Sequence, residues 1–126
     1  MERLLERSVE YARTRVQSGQ PIGKFQAIAH RIADMKVQLE AARLLIYRAA
    51  WRLDREKNVS MDASMAKLFV SESLIKAALD TVHLHGGYGY MMEYEVERVL
   101  PDSVASATYS GTSEVQRNII AHWLGL

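Results

Sequence analysis

Between Phe25 and Leu53, apolar residues recur in alternating steps of three and four: Phe25, Ile28, Ile32, Met35, Leu39, Ala42, Ile46, Ala49 and Leu53. That period places them all on one stripe of an α-helix. Sustained over about four heptads, it is the seam of a long bundle helix. At ~1.5 Å per residue, a helix from Phe25 to Arg55 spans roughly 45 Å. It cannot bury such a seam alone, so the rest of the 126-residue chain must supply antiparallel neighbours.

Candidates for those neighbours are present. Leu5, Val9, Ala12 and Val16 share a face of a helix expected from Glu2 to Gln17, with Gly19 and Pro21 as its stop. Asn58 to Ser60 can cap a third helix over Met61–His85. Met65, Leu68, Leu74, Ile75, Ala78, Leu79 and Val82 mark its buried side, and Gly86-Gly87-Tyr88-Gly89 ends it. A short helix over Glu93–Leu100 is stopped by Pro101. The last helix starts at Ser113, which stands at capping-box spacing from Gln116, and ends at Gly125. No segment reads as a strand. The expected fold is all-α: one domain over residues 1–126, an up-down bundle of four main helices.

Composition narrows the function classes. A net charge of +1 with no basic stripe argues against nucleic-acid binding. No run approaches the ~18 apolar residues of a membrane span, and the charged, amphipathic MERLLERSVEYAR lacks a signal-peptide core. With no cysteine, disulfides and thiolate chemistry are excluded, and a reducing cytoplasm fits.

Helical patterning specifies no reaction, so chemistry must come from particular residues. Di-iron bundles use Glu-x-x-His on facing helices. His83 follows Asp80 at that spacing, but no second such pair exists, so no metal site is expected. The glycines of Gly86-Gly87-Tyr88-Gly89 would let backbone N–H groups approach an anion, or simply form a helix stop and a tight turn. Tyr109-Ser110-Gly111-Thr112-Ser113-Glu114 leads into a helix amino terminus, suited to polar or anionic groups or to a plain cap.

Five segments together resemble the acyl-CoA dehydrogenase family. They are Phe25-Gln26-Ala27-Ile28 with Ala33-Asp34-Met35; ARLLIYRAAWRLD from Ala42 to Asp54; Ala66-Lys67-Leu68-Phe69 with Ser71-Glu72; His85-Gly86-Gly87-Tyr88-Gly89-Tyr90; and Gly111-Thr112-Ser113-Glu114-Val115-Gln116-Arg117-Asn118. They fall in the family's order over nearly the whole chain, which is similar to the carboxy-terminal helical domain alone. The amino-terminal helical and middle β domains have no counterpart.

The resemblance implies an FAD enzyme that oxidises an acyl-CoA thioester to its trans-2-enoyl form. A carboxylate takes the α proton, the flavin accepts the β hydride, and electrons pass to an electron-transferring flavoprotein. It implies that Arg15, Gln17, His83, Gly86 and Gly87 meet the FAD of a neighbouring subunit, and that Thr112 and Glu114 hold the subunit's own FAD. A homo-oligomer, dimer or tetramer, follows. Departures accompany it. Ser110 stands at the usual catalytic glutamate, and a hydroxyl is no base near neutral pH. No residue of the chain is therefore assigned as catalytic. Ser18 replaces an aromatic, His83 a glutamine and Pro101 an arginine. Weak or absent FAD binding by the isolated chain is expected. The alternative is a non-catalytic helical assembly module, or a degenerate dehydrogenase subunit.

Overall fold

A computed structural model describes residues 1–126. Five α-helices and a two-residue β-hairpin follow in the order α1 Glu2–Thr14, β1 Val16–Gln17, β2 Gln20–Pro21, α2 Gln26–Leu53, α3 Ser60–His85, α4 Val96–Ser106 and α5 Ser113–Trp123. Short 3-10 turns cover Ile22–Lys24, Gly86–Tyr90 and Met92–Tyr94. The all-α bundle expected from the sequence is the architecture observed.

Helix α3 is its axis, packed against α1, α2, α4 and α5. The faces it buries are small: Ala66, Ser71, Ser73, Ala77, Ala78 and Thr81. Small residues let neighbouring helix axes approach, and the bulk of the core then comes from the partners. Leu4 and Met35 join Ala77, Ala78 and Leu84, with Ile28, Ile32, Leu74 and Leu100 packed around them. The larger residues expected on the inside of α3 are mostly half-buried, and Leu79 is exposed.

The α1 face differs from the expected one. Leu4, Ser8 and Ala12 are buried rather than Leu5, Val9 and Val16. Ser8 Oγ lies 3.1 Å from Thr81 Oγ1 in the α1–α3 interface, so two hydroxyls satisfy each other inside the packing. On α2, Met35, Leu39 and Ala42 are buried as the seam required. Ile46 and Leu53 are exposed, because the second half of α2 runs past the core.

Three boundaries also move. The first helix stops at Thr14, and the chain turns through an antiparallel hairpin pairing Val16 with Pro21 and Gln17 with Gln20. Ser18 and Gly19 both have positive φ, +51° and +77°, the primed two-residue turn whose twist matches paired strands. Pro101 lies inside α4 instead of ending it; only the Glu97 carbonyl forgoes its helical donor. Thr112, not Ser113, caps α5, accepting from the Val115 N–H at 3.4 Å. Val59, not Asn58, stands at the N-cap of α3 and makes no side-chain capping bond; Asn58 Oδ1, one residue earlier, accepts from the Ser60 N–H at 3.0 Å.

Candidate functional site

The hairpin determines where Arg15 and Gln17 go. Because α1 ends at Thr14, Arg15 enters extended backbone, at φ −72° and ψ 120°. Its side chain then meets the carboxy-terminal end of α3. Arg15, Gln17, His83, Gly86 and Gly87 line one groove of about 530 Å³. Residues from three elements, up to 72 positions apart (87 minus 15), are brought together.

Arg15 is held from two sides. Its Nη2 donates to Gln17 Oε1 at 3.3 Å, and its guanidinium lies over the Tyr88 ring, 5.3 Å from the centroid. Below it, Gly86 takes a positive φ of +59° to end α3. Gly87 has no such backbone, and a Cβ there would meet no atom within 4 Å. Nothing in the chain itself requires glycine at 87. What its absent side chain leaves is bare backbone at the groove, with room for a ligand to approach closely.

Six further residues line the groove without having been given a site role by the sequence: Tyr11, Ile22, Leu84, His85, Tyr88 and Met91. Of these, His85 stacks on Tyr11 with ring centroids 4.0 Å apart and meets the edge of Tyr94. Its Nδ1 lies 2.8 Å from the Thr81 carbonyl, so Nδ1 carries the proton and donates. Burial holds the His85 imidazole below the ordinary histidine range, with the nearby Arg7 cation adding to the shift. Tyr94 packs on Tyr88 at 4.9 Å, which closes an aromatic circuit from Tyr11 back to the ring beneath Arg15. A sequence signal existed only in the density of aromatic residues around the glycine turn.

Thr112 and Glu114 do not join this groove; they sit at the amino terminus of α5. The loop before them is tied down from within. Lys67 donates to the Gly111 carbonyl at 2.6 Å, and Gln116 Nε2 donates to the Ser110 and Gly111 carbonyls at 3.1 and 3.3 Å. The amino terminus of α5, the positive end of the helix dipole, is satisfied within the chain: the Val115 N–H goes to the Thr112 hydroxyl and the Glu114 N–H to its own carboxylate. Glu114 is held below the usual carboxylate range, first by its own backbone N–H and then by the Thr112 hydroxyl.

No carboxylate is free for general-base work at Ser110, which is exposed and has φ +55°. Glu95, on the chain segment before α4, is ion-paired to Arg7 and Arg3. The Arg7 hydrogen bond and charge hold it below the usual carboxylate range. A base kept that acidic is weakened.

The family model for the acyl-CoA dehydrogenase C-terminal domain matches residues 1–125. The chain belongs to the acyl-CoA dehydrogenase family. An acyl-CoA dehydrogenase of Bacillus subtilis (strain 168) is 50% identical over 123 residues, covering 98% of this chain and 32% of that protein. An L-prolyl-[peptidyl-carrier protein] dehydrogenase of Pseudomonas fluorescens is 44% identical over 126 residues, 100% of this chain and 33% of that protein. The solved FAD complex of PigA superposes with a TM-score of 0.96 at 42% identity, covering 99% of this chain and 33% of that one. The chain thus spans about a third of the length of the relatives it matches, and corresponds to the C-terminal domain of acyl-CoA dehydrogenase-like, FAD-dependent enzymes. The groove residues suit an acyl-CoA dehydrogenase flavin. A preset guanidinium, polar side chains and unobstructed glycine backbone are what a pyrophosphate needs.

Proposed function

We propose that this domain binds FAD in two places and helps assemble an oligomeric enzyme that desaturates an acyl thioester, and that it is inactive alone. The observation carrying this reading is Gly87, whose bare backbone faces open space that a Cβ would enter without meeting any atom within 4 Å, in the same groove as an Arg15 held by Gln17 and Tyr88. Arg15, Gln17, His83, Gly86 and Gly87 would hold the FAD of one subunit. Thr112 and Glu114, outside that groove, would hold the FAD of another. A split of this kind fits a flavin bound between copies of the chain.

Bound flavin would supply the hydride acceptor. The chain's own part is to orient it: Arg15 neutralises phosphate charge, and Thr112 and Glu114 present polar side chains to the flavin at the start of α5. Proton removal from the substrate falls to a carboxylate outside residues 1–126, since Ser110 cannot perform it. An acyl-CoA substrate and an electron-transferring flavoprotein as acceptor belong to the same reading, as does a cytoplasmic location, which the cysteine-free composition fits.

Ser110 also favours a second reading, in which the domain is a degenerate, non-catalytic assembly module. One titration separates them: FAD added to the chain, followed by quenching of flavin fluorescence, with Arg15→Ala and Gly87→Leu as comparisons. Weak saturable quenching that both substitutions abolish supports the flavin-site reading. An oligomer with no quenching favours the module, or a dehydrogenase domain that cannot hold FAD without the rest of its enzyme. Tight quenching indifferent to Arg15 and Gly87 overturns the assignment of the groove.

A further inference from the structure

His83 and His85 stand two residues apart at the end of α3, yet their rings face opposite demands. His85 turns Nδ1 to a carbonyl, the Thr81 oxygen at 2.8 Å, so Nδ1 must donate. His83 turns Nδ1 to a guanidinium, Arg31 Nη1 at 3.3 Å. Guanidinium nitrogens have no acceptor capacity and stay protonated. The His83 Nδ1 must therefore present its lone pair, and in the neutral ring the proton then sits on Nε2. The tautomers of the two histidines are opposite.

Arg31 is itself held. Asp80 lies 3.5 Å from the same Nη1, and Lys76 Nζ meets the other Asp80 oxygen at 2.7 Å. The Asp80 side chain is almost wholly buried between these cations, while Arg31 is about half exposed. A relay runs from Lys76 through Asp80 and Arg31 to a histidine that lines the groove with Arg15 and Gly87.

We propose that Arg31 is a positioning residue that fixes His83 as the Nε2–H tautomer and so makes it a hydrogen-bond donor to an acceptor oxygen in the groove. The inference rests on the flavin-site reading for the identity of that oxygen, a phosphate or hydroxyl of FAD. The tautomer itself follows from this chain alone. It also gives His83 a chemical rationale: a glutamine amide can donate at this position without help, whereas an imidazole donates from Nε2 only if its proton is placed there. Arg31 places it from a neighbouring helix.

The test is the nitrogen-15 spectrum of the imidazole rings at about pH 8, where ordinary histidines are neutral, on the 126-residue chain without flavin. His83 should show a pyridine-type Nδ1 and a pyrrole-type Nε2, and His85 the reverse. Arg31→Ala should move both His83 nitrogens toward the averaged values of free histidine. Arg31→Lys, which still points a donor at Nδ1, should restore part of the bias. His85 should not change in either variant, which reports that the end of α3 is still folded. A pyrrole-type Nδ1 on wild-type His83 overturns the proposal. So does a His83 pattern that Arg31→Ala leaves unchanged while His85 is intact. Because the readout needs no cofactor, FAD quenching that ignores Arg15 and Gly87 would count against the flavin-site reading and leave the His83 tautomer unaffected.

Discussion

Lys67 reaches across 44 residues of sequence to donate from Nζ to the Gly111 carbonyl at 2.6 Å. The bond joins the first third of α3 to the loop that opens α5, and Gln116 completes it from the other side. Gly111 itself is at φ +90°, and a Cβ there would come within 2.7 Å of Gln116 Nε2. The loop conformation and its two tethers are therefore one unit.

Lys67→Met keeps the aliphatic stem and removes the donor. Hydrogen bonds to charged groups contribute about 1.5–3 kcal/mol, and the low end applies because Lys67 is only half-buried. Urea midpoints should fall with the slope unchanged, and the amides of Ser110 to Ser113 should exchange faster with deuterium. An unchanged midpoint together with unchanged exchange would show that the tether is idle.

Asp62 fastens the amino-terminal end of α3 to α2. Its side chain is 3% exposed and meets Arg48 Nε at 3.0 Å and the Arg52 guanidinium. It also sits in the first turn of α3, where a negative charge complements the helix dipole. Asp62→Ala should cost about 1–3 kcal/mol, the range for stripping a partner from a charged hydrogen bond, here the one from Arg52; Arg48 adds an ion pair without a hydrogen bond. The arginines are exposed enough to turn to water, which keeps the loss below that of a fully buried pair. Thermal unfolding of the two proteins compares them directly.

These contacts mark the limit of what sequence periodicity conveys. The α2 seam was legible because each of its steps of three and four adds to one periodic signal, and the middle of it, Met35 to Ala42, is where the core lies. The family resemblance located Arg15, His83, Gly86 and Thr112, and the fold brings the first three together. Lys67, Tyr88 and His85 were invisible as functional groups because their roles depend on approach across helices. The hairpin was missed because strands of two residues have no alternation to detect. The α1 face was misread because Ser8 looks polar, and only its pairing with Thr81 makes it an interior residue.

Tyr88 carries the Arg15 guanidinium, and substitution there should act through Arg15. Cation–π contacts at exposed sites contribute about 0.5–1 kcal/mol, so Tyr88→Ala should weaken whatever FAD binding the chain shows by roughly two- to fivefold. Tyr88→Phe keeps the ring face and should bind like the parent. Equal affinities for the alanine and phenylalanine variants would remove Tyr88 from the site.

His85 should make stability depend on pH in a window above that of the carboxylates. Its folded-state value lies below the ordinary 6.5, so the unfolded chain binds the proton more readily than the native one. Stability is then complete above about pH 6.5 and falls as the pH drops below it, levelling off once the native ring also protonates. Glu95 and Glu114, whose values are also lowered, contribute in the same direction only below their ordinary 4.5. His85→Phe keeps a ring against Tyr11 and loses the titrating group. Urea midpoints of the parent should drop between pH 7 and pH 5.5, and those of the variant should drop less, by only what the Met1 amino group, also held below its ordinary value by burial, contributes. A parent curve that is flat over that interval would contradict the burial argument.

The outer face of α2 makes the last prediction. Val37, Leu44, Tyr47 and Trp51 recur in steps of seven, three and four on a different side from Met35 and Leu39, and each is more than half exposed. Such a stripe is costly to leave in water and has the spacing of a second helical seam. If copies of the chain cover it, Leu44→Glu places a charge inside that interface and should lower the mass seen by light scattering after size exclusion. Stability of the single chain should barely change, since Leu44 is 68% exposed and surface substitutions usually stay within about 0.5 kcal/mol. A mass equal to that of the parent would show that this stripe is not where copies meet. A lower mass with an unchanged unfolding slope would place the contact on α2, whether or not FAD is bound.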